Sequence, residues 1–158
     1  PMTKAEHTLE RPGDCLRHGI TLCMLVLWIL NDHLFKELWG NAWTGKLSDF
    51  AGLAVFPLIP YSAYELGCAL RGVTPRFRRA VLMGSVIATG TVMAGINLWD
   101  PWADAFRIGL GTLQWPFRAV WFLAEGTALP QVAPVFHTMD PTDLLMLPAL
   151  GVPYWVVR

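Results

Sequence analysis

AVLMGSVIATGTVMAGINLW, residues 80–99, runs for 20 residues without one charged side chain. A hydrocarbon layer about 30 Å thick takes about 20 apolar residues of α-helix to cross. The stretch therefore predicts a membrane-spanning helix. Small residues recur on two of its faces: Gly84, Ala88, Thr91 and Gly95 on one, Gly90, Ala94 and Asn97 on the other. Such residues let membrane helices approach closely, so packing within a helical bundle is expected.

Working outward, Arg71, Arg76, Arg78 and Arg79 form the preceding loop. A second span is expected over about 48–70, kinked at Pro57 and Pro60, because proline removes a backbone donor. Trp39 to Leu47, with Gly40 and Gly45, reads as a short loop. A first span is expected over about 16–35, behind a polar segment 1–15 that should be cytoplasmic and loosely ordered. Pro1 ahead of Met2 suggests that Met2 is the natural start. No cleavable signal peptide is expected, since the apolar run from Ile20 to Leu30 follows mixed charges and lacks an A-x-A site.

On the far side of residue 99, Asp100-Pro101 has the form of a helix start, Asp as N-cap and Pro at the first helical position. Asp104, Arg107, Gly111, Gln114 and Arg118 then recur at steps of three and four, with Phe106, Leu110, Leu113 and Phe117 off that stripe. This predicts an amphipathic helix over about 101–124 lying in the interface, bent at Pro116; a further full span is the alternative. Pro130 and Pro134 mark an irregular loop. A last span is expected over about 141–157, kinked at Pro148. The fold class that follows is all-α: a polytopic membrane protein with a four-transmembrane-helix bundle and an additional amphipathic, interfacial helix between the third and fourth spans.

Composition agrees. Of 158 residues, 54% are hydrophobic and 15% charged, with 8 Trp, 8 Phe and a mean hydropathy of +0.41. Soluble domains average about 25% charged residues. The net charge of zero offers no bulk attraction to nucleic acid, so no nucleic-acid partner is expected. Cys15, Cys23 and Cys68 are odd in number and lack metal-type spacing, so no disulfide framework follows.

With alternating spans, Lys4, Arg11, Arg17, Arg71, Arg76, Arg78, Arg79 and Arg158 share one side, against Lys36, Lys46, Arg107 and Arg118 on the other. Eight against four supports cytoplasmic termini. Acids lean the opposite way: Asp32, Glu37, Asp49, Asp100, Asp104, Glu125, Asp140 and Asp143 lie outside. Acids barely influence topology, so this bias needs another cause.

The outer polar residues come from separate segments. Asp32 and Lys36 are one helical turn apart in the order that favours an ion pair, and His33 and Lys36 are expected to face the bundle interior; a solvated helix end is the plainer reading. Lys46 and Asp49 open the second span, with Gly52 on the face of Asp49. Ser48 or Asp49 could simply cap that helix. A lysine at a helix N-terminus is disfavoured by the dipole, which suggests an acidic partner or an anionic ligand for Lys46. Asp140 reads as a cap, and Asp143 sits in the position of a capping-box acid. No catalytic signature such as H-E-x-x-H or G-x-S-x-G occurs. No metal or cofactor is implied, although His33, Asp49 and Asp143 form an acceptable ligand set.

Gly45-Lys46-Leu47-Ser48-Asp49-Phe50, and Asp140-Pro141-Thr142-Asp143-Leu144 followed by Ala149 and Gly151, resemble two motifs of the VanZ-like membrane proteins. In that family an Asp-Lys-x-x-His-Phe pattern opens a span. Here Gly45 replaces the Asp and Asp49 the His. The resemblance implies a small helical membrane protein of the cell envelope and adds weight to Lys46, Asp49 and Asp143.

Three functions compete. The first is an extracytoplasmic site for an anionic lipid or lipid-linked head group, with Asn31, His33, Lys36, Lys46, Asp49, Asn97, Arg107, Arg118 and Asp143 as its residues; the cations would hold phosphate and the others would orient them. The second is an intramembrane hydrolase or transferase using His33 as base, with Asp49 or Asp143 fixing its tautomer. The third is a homo-oligomeric pore or structural partner assembled on the small-residue faces. The first is the expectation carried forward.

Overall fold

A computed structural model of the chain describes residues 11–157, apart from the side chain of residue 42. Most of the polar segment 1–15, namely residues 1–10, lies outside the described residues, as does Arg158. All regular structure among the described residues is helical. Three helices, Gly19–Trp39, Trp43–Leu70 and Arg78–Leu98, are long and apolar enough to cross a membrane. The chain forms two compact units, one built from the residues up to Gly90 together with those from Leu145 onward, the other from Thr91–Leu144.

In the first unit a short helix α1 (Asp14–Arg17) is separated from α2 (Gly19–Leu30) by His18, whose extended backbone caps α2 and whose Nδ1 accepts from the Ile20 N–H. The cap explains why the first apolar helix starts at Gly19 instead of near residue 16. It continues through a π-helical turn (Asn31–Phe35) and α3 (Lys36–Trp39), and ends at Gly40, whose left-handed φ of 41° suits glycine.

The second apolar helix starts earlier than 48. Asn41 caps α4 (Ala42–Val55), its Oδ1 accepting from the N–H groups of Trp43 and Thr44 at 3.1 and 3.2 Å. The expected loop up to Leu47 is thus mostly helix, and Ser48 and Asp49 lie inside α4 instead of capping it. The helix breaks at Phe56–Pro57 before α5 (Leu58–Leu70). Pro60 offers no N–H to the Phe56 carbonyl, and Ile59 takes that carbonyl instead, at 3.2 Å. Half of this helix's apolar window is buried, against 11% for the first. The second helix is therefore the centre of packing, and α2 lies against α4.

α6 (Arg78–Leu98) matches the expected third span closely. The core of the first unit gathers Cys15, Leu58, Tyr61, Leu82 and Val156. The segment expected as a fourth span kinked at Pro148 is a 3-10 helix (Pro141–Gly151) followed by a five-residue α8 (Val152–Val156). Pro148 lies inside it, and in an α-helix its ring would strike the carbonyl four residues back and leave it unbonded. Leu150 of this segment lies over Gly90, where a Cβ would meet its Cδ1 at 3.0 Å.

The second unit pairs α7 (Asp100–Ala124) with the extended stretch 127–140. α7 is continuous through Pro116, and its N-cap is Trp99, so Asp100 lies in the first turn instead of capping it. The extended stretch runs back along α7 as a strap. Trp115 Nε1 donates to Pro130 O at 2.7 Å, and Val135 N to Arg107 O at 3.0 Å. The eight residues from Trp115 to Arg107 cover about 12 Å of helix. The five from Pro130 to Val135 can cover about 16 Å when extended, so the two elements stay in register. Gly111 is required at the crossing, because a Cβ there would run into the backbone at Ala133.

Candidate functional site: a polar relay joining the first two apolar helices

Asn31 sits at the start of the π-helical turn, where Lys36 N–H reaches the Asn31 carbonyl five residues back. Such turns occur often at functional positions. The side chain of Asn31 is fully buried, 0% exposed. Its Nδ2 donates to the Thr44 carbonyl and to Ser48 Oγ, each at 2.6 Å. Ser48 Oγ donates in turn to Asp32 Oδ1 at 2.6 Å, and Lys36 Nζ meets the same oxygen at 2.6 Å. Two sets of donors converge on one carboxylate: amide and hydroxyl reach Asp32 from the packed interior, and the Lys36 ammonium reaches it from the surface.

This arrangement fixes the orientation of the Asn31 amide, since only an N–H can satisfy the Thr44 carbonyl. It also leaves Asn31 Oδ1 buried without a hydrogen-bond partner among the described residues. Such an acceptor is costly, and one beside a polar network marks a place for a donor. Lys36, at the outer end, keeps 42% of its side chain exposed. Leu38 and Trp39 of α3 and Trp43 in the first turn of α4 are exposed; tryptophan is enriched at membrane–water interfaces.

The other expected residues of this unit are placed differently. His33 was expected to face the interior beside Lys36; both are exposed. Lys46 and Asp49 are half-buried within α4. Asp32, Thr44 and Ser48 are relay members that the sequence reading did not select as ligands.

In the second unit Asn97 is engaged at both polar ends. Its Nδ2 donates to Met93 O at 3.1 Å and its Oδ1 accepts from Asp140 N at 3.1 Å. It latches the end of the strap, as does His137, whose Nε2 bonds the Ile96 carbonyl at 2.9 Å and whose ring meets Phe106 edge-on. Arg107 is half-buried; it pairs with Asp104 at 3.4 Å and reaches Val135 O. Arg118 is exposed and Asp143 half-buried. Asp140 caps the 3-10 helix, accepting from the Thr142 N–H and hydroxyl at 2.9 and 2.7 Å, as expected of it. Among the described residues no three His, Cys, Asp or Glu side chains come together as a metal site requires.

A second polar cluster, missed in the sequence, lies at the other end of the second apolar helix. Glu65 is 5% exposed; its Oε1 meets Arg78 Nη2 at 2.8 Å and its Oε2 accepts from Gly13 N at 3.2 Å. Arg78 Nε donates to Tyr61 Oη at 2.9 Å. Cys15 Sγ and Ser62 Oγ are 3.0 Å apart beside them. Burial pushes the Cys15 thiol above its ordinary pKa, against the hydrogen bond from Ser62, which lowers it. The signal was present: an acid within an otherwise apolar helix is a functional candidate by default.

Compared with known proteins, the chain matches no family model, no curated protein and no solved structure.

Proposed function

We propose that this is an integral membrane protein of the bacterial cytoplasmic membrane that holds the head group of an anionic or lipid-linked amphiphile at its extracytoplasmic face. The observation that carries the reading is Lys36. Its ammonium is pinned 2.6 Å from Asp32, yet the side chain is 42% exposed, and Trp39, three residues on in α3, is exposed as well. An ammonium has three donors and Asp32 is its only partner among the described residues, which leaves donors for a phosphate oxygen. The relay through Ser48 and Asn31 supports it by fixing Asp32, so that Lys36 is positioned in advance of a ligand. Lys46, one turn further into α4 than Ala42, adds a second cation to the same pair of helices.

The arginine loop 71–79 would face the cytoplasm by the positive-inside rule. The 3-10 helix supports a fourth crossing: at about 2.0 Å per residue its 11 residues and the α8 that follows rise through about 30 Å, the depth of the hydrocarbon layer. α7, with Leu113, Phe117, Val120 and Trp121 exposed, would lie in the interface. The short likeness to VanZ-like proteins around Lys46 and Asp143 fits a role in the cell envelope.

The test is native mass spectrometry of the full chain released from nanodiscs of mixed phosphatidylglycerol and phosphatidylcholine. Wild type should retain phosphatidylglycerol in preference, and Lys36→Gln should lose most of that preference while Arg118→Gln keeps it. Equal retention by wild type and Lys36→Gln would remove the proposed role of this site.

A further inference from the structure

We propose that a cavity at the N-terminus of α6, at the opposite end of the first unit from Lys36, binds a phosphate group. The cavity has a volume of about 390 Å³ and is lined by Tyr61, Arg78, Arg79, Leu82, Tyr154 and Val157. That volume lies within the range of small-ligand sites. A smaller space of about 140 Å³ shares its Tyr61–Arg78 wall and reaches Glu65 and His18.

Three features give the cavity its chemistry. Arg78 and Arg79 are the first two residues of a 21-residue helix. Cations are repelled by the positive end of a helix dipole, so two adjacent arginines there call for negative charge. Glu65 supplies it to Arg78. Arg79 has no hydrogen-bond or ion-pair partner among the described residues, although it lines the cavity. An anion in the cavity would answer that guanidinium and the dipole together.

The guanidinium of Arg78 is also held in place. Its Nε is spent on Tyr61 and one Nη on Glu65, both rigidly buried, which fixes its plane along the cavity wall. Tyr154, 37% exposed, brings a hydroxyl without a partner among the described residues. Two guanidinium groups and a phenol around an open cavity suit tetrahedral phosphate oxygens, which arginine binds in bidentate fashion. The positive-inside rule accounts for the charge of all four arginines, of which Arg71, Arg76 and Arg79 are exposed and Arg78 is half-buried. It gives no reason for Arg78 and Arg79 to line a cavity.

The phosphate can belong to a membrane lipid or to a soluble compound, and one experiment separates them. The full chain is placed in nanodiscs of pure phosphatidylcholine. Inorganic phosphate is titrated in one arm, followed by isothermal calorimetry. In the other arm phosphatidylglycerol replaces part of the lipid, and bound lipid is counted by native mass spectrometry. Saturable binding in the first arm assigns a soluble phosphate; retention confined to the second assigns a head group. In whichever arm binds, Arg79→Gln and Tyr154→Phe should each weaken it at least fivefold. Arg71→Gln should not; all variants are compared in a Lys36→Gln background, so that lipid held at the other end does not enter the count. Binding in neither arm, or binding indifferent to Arg79→Gln and Tyr154→Phe, overturns the proposal.

Discussion

Arg78, the first residue of α6, closes on Glu65, one turn from the end of α5, with Nη2 2.8 Å from Oε1. The carboxylate is buried and the guanidinium 42% exposed, so the two partners are not equivalent.

That asymmetry predicts unequal mutants. Arg78→Gln strands a buried carboxylate and should cost about 3 kcal/mol, the usual penalty for removing one member of a buried pair. Glu65→Gln frees an arginine that can turn to water and should cost roughly 1 kcal/mol. The double variant should recover part of the loss from Arg78→Gln. Unfolding in mixed detergent micelles measures all three; an equal loss in both single variants would contradict the geometry.

The relay makes a second prediction. Ser48→Ala removes the link between Asn31 Nδ2 and Asp32 Oδ1, both at 2.6 Å. Hydrogen bonds between membrane helices are worth about 0.6–2 kcal/mol, so stability should fall by about 1 kcal/mol. Asn31→Leu loses two bonds but also removes the unsatisfied Oδ1, so its cost should be no greater than that of Ser48→Ala with Asn31 retained. A much larger loss for Asn31→Leu would show that Oδ1 has a bound donor.

A third concerns the strap. Gly111→Leu places a side chain where the backbone at Ala133 passes, and the strap must lift from α7. Residues 127–140 should then be cut by proteinase K at least tenfold faster than in wild type. Gly109→Leu, where nothing lies within 4 Å, serves as the control and should cut at the wild-type rate.

The thiol of Cys15 supplies a pH dependence. Burial raises its pKa, so the folded protein holds the thiol proton more tightly than the unfolded chain. The stability this confers is present below the ordinary thiol value and is lost as pH climbs above it. In a Cys23→Ser/Cys68→Ser background, N-ethylmaleimide should label Cys15 at pH 8 at least tenfold more slowly than in the SDS-unfolded chain. The labelling profile should also move to higher pH. Matching profiles in the two states would refute the shift.

Much of this molecule can be read from its residues, and the rest is hidden for definite reasons. Residues 80–99 announce a helix because no charge interrupts them, and α6 occupies 78–98. Asp32 and Lys36 are legible as an ion pair because that contact is local. The start of α4 was obscured by Gly40 and Gly45, which look like a loop, while Asn41 ahead of Ala42 carried the true signal as a cap. The π-helical turn has no mark in the sequence, and without it Asn31 cannot be matched to Ser48. Pro148 shows that an α-helix would suffer there, but not that a 3-10 helix replaces it. Glu65 was visible, yet its partners Arg78 and Gly13 are brought to it only by tertiary folding.

The contact between Glu65 and Arg78 staples the two ends of the intervening turn together, and Phe77 N adds a tie to Tyr64 Oη at 3.2 Å. With its flanks so fastened, the tip around Thr74 has little left to specify. Peptide tags or reporter domains spliced in at that point should leave the surrounding helices assembled, giving a handle on the arginine-rich end of the molecule.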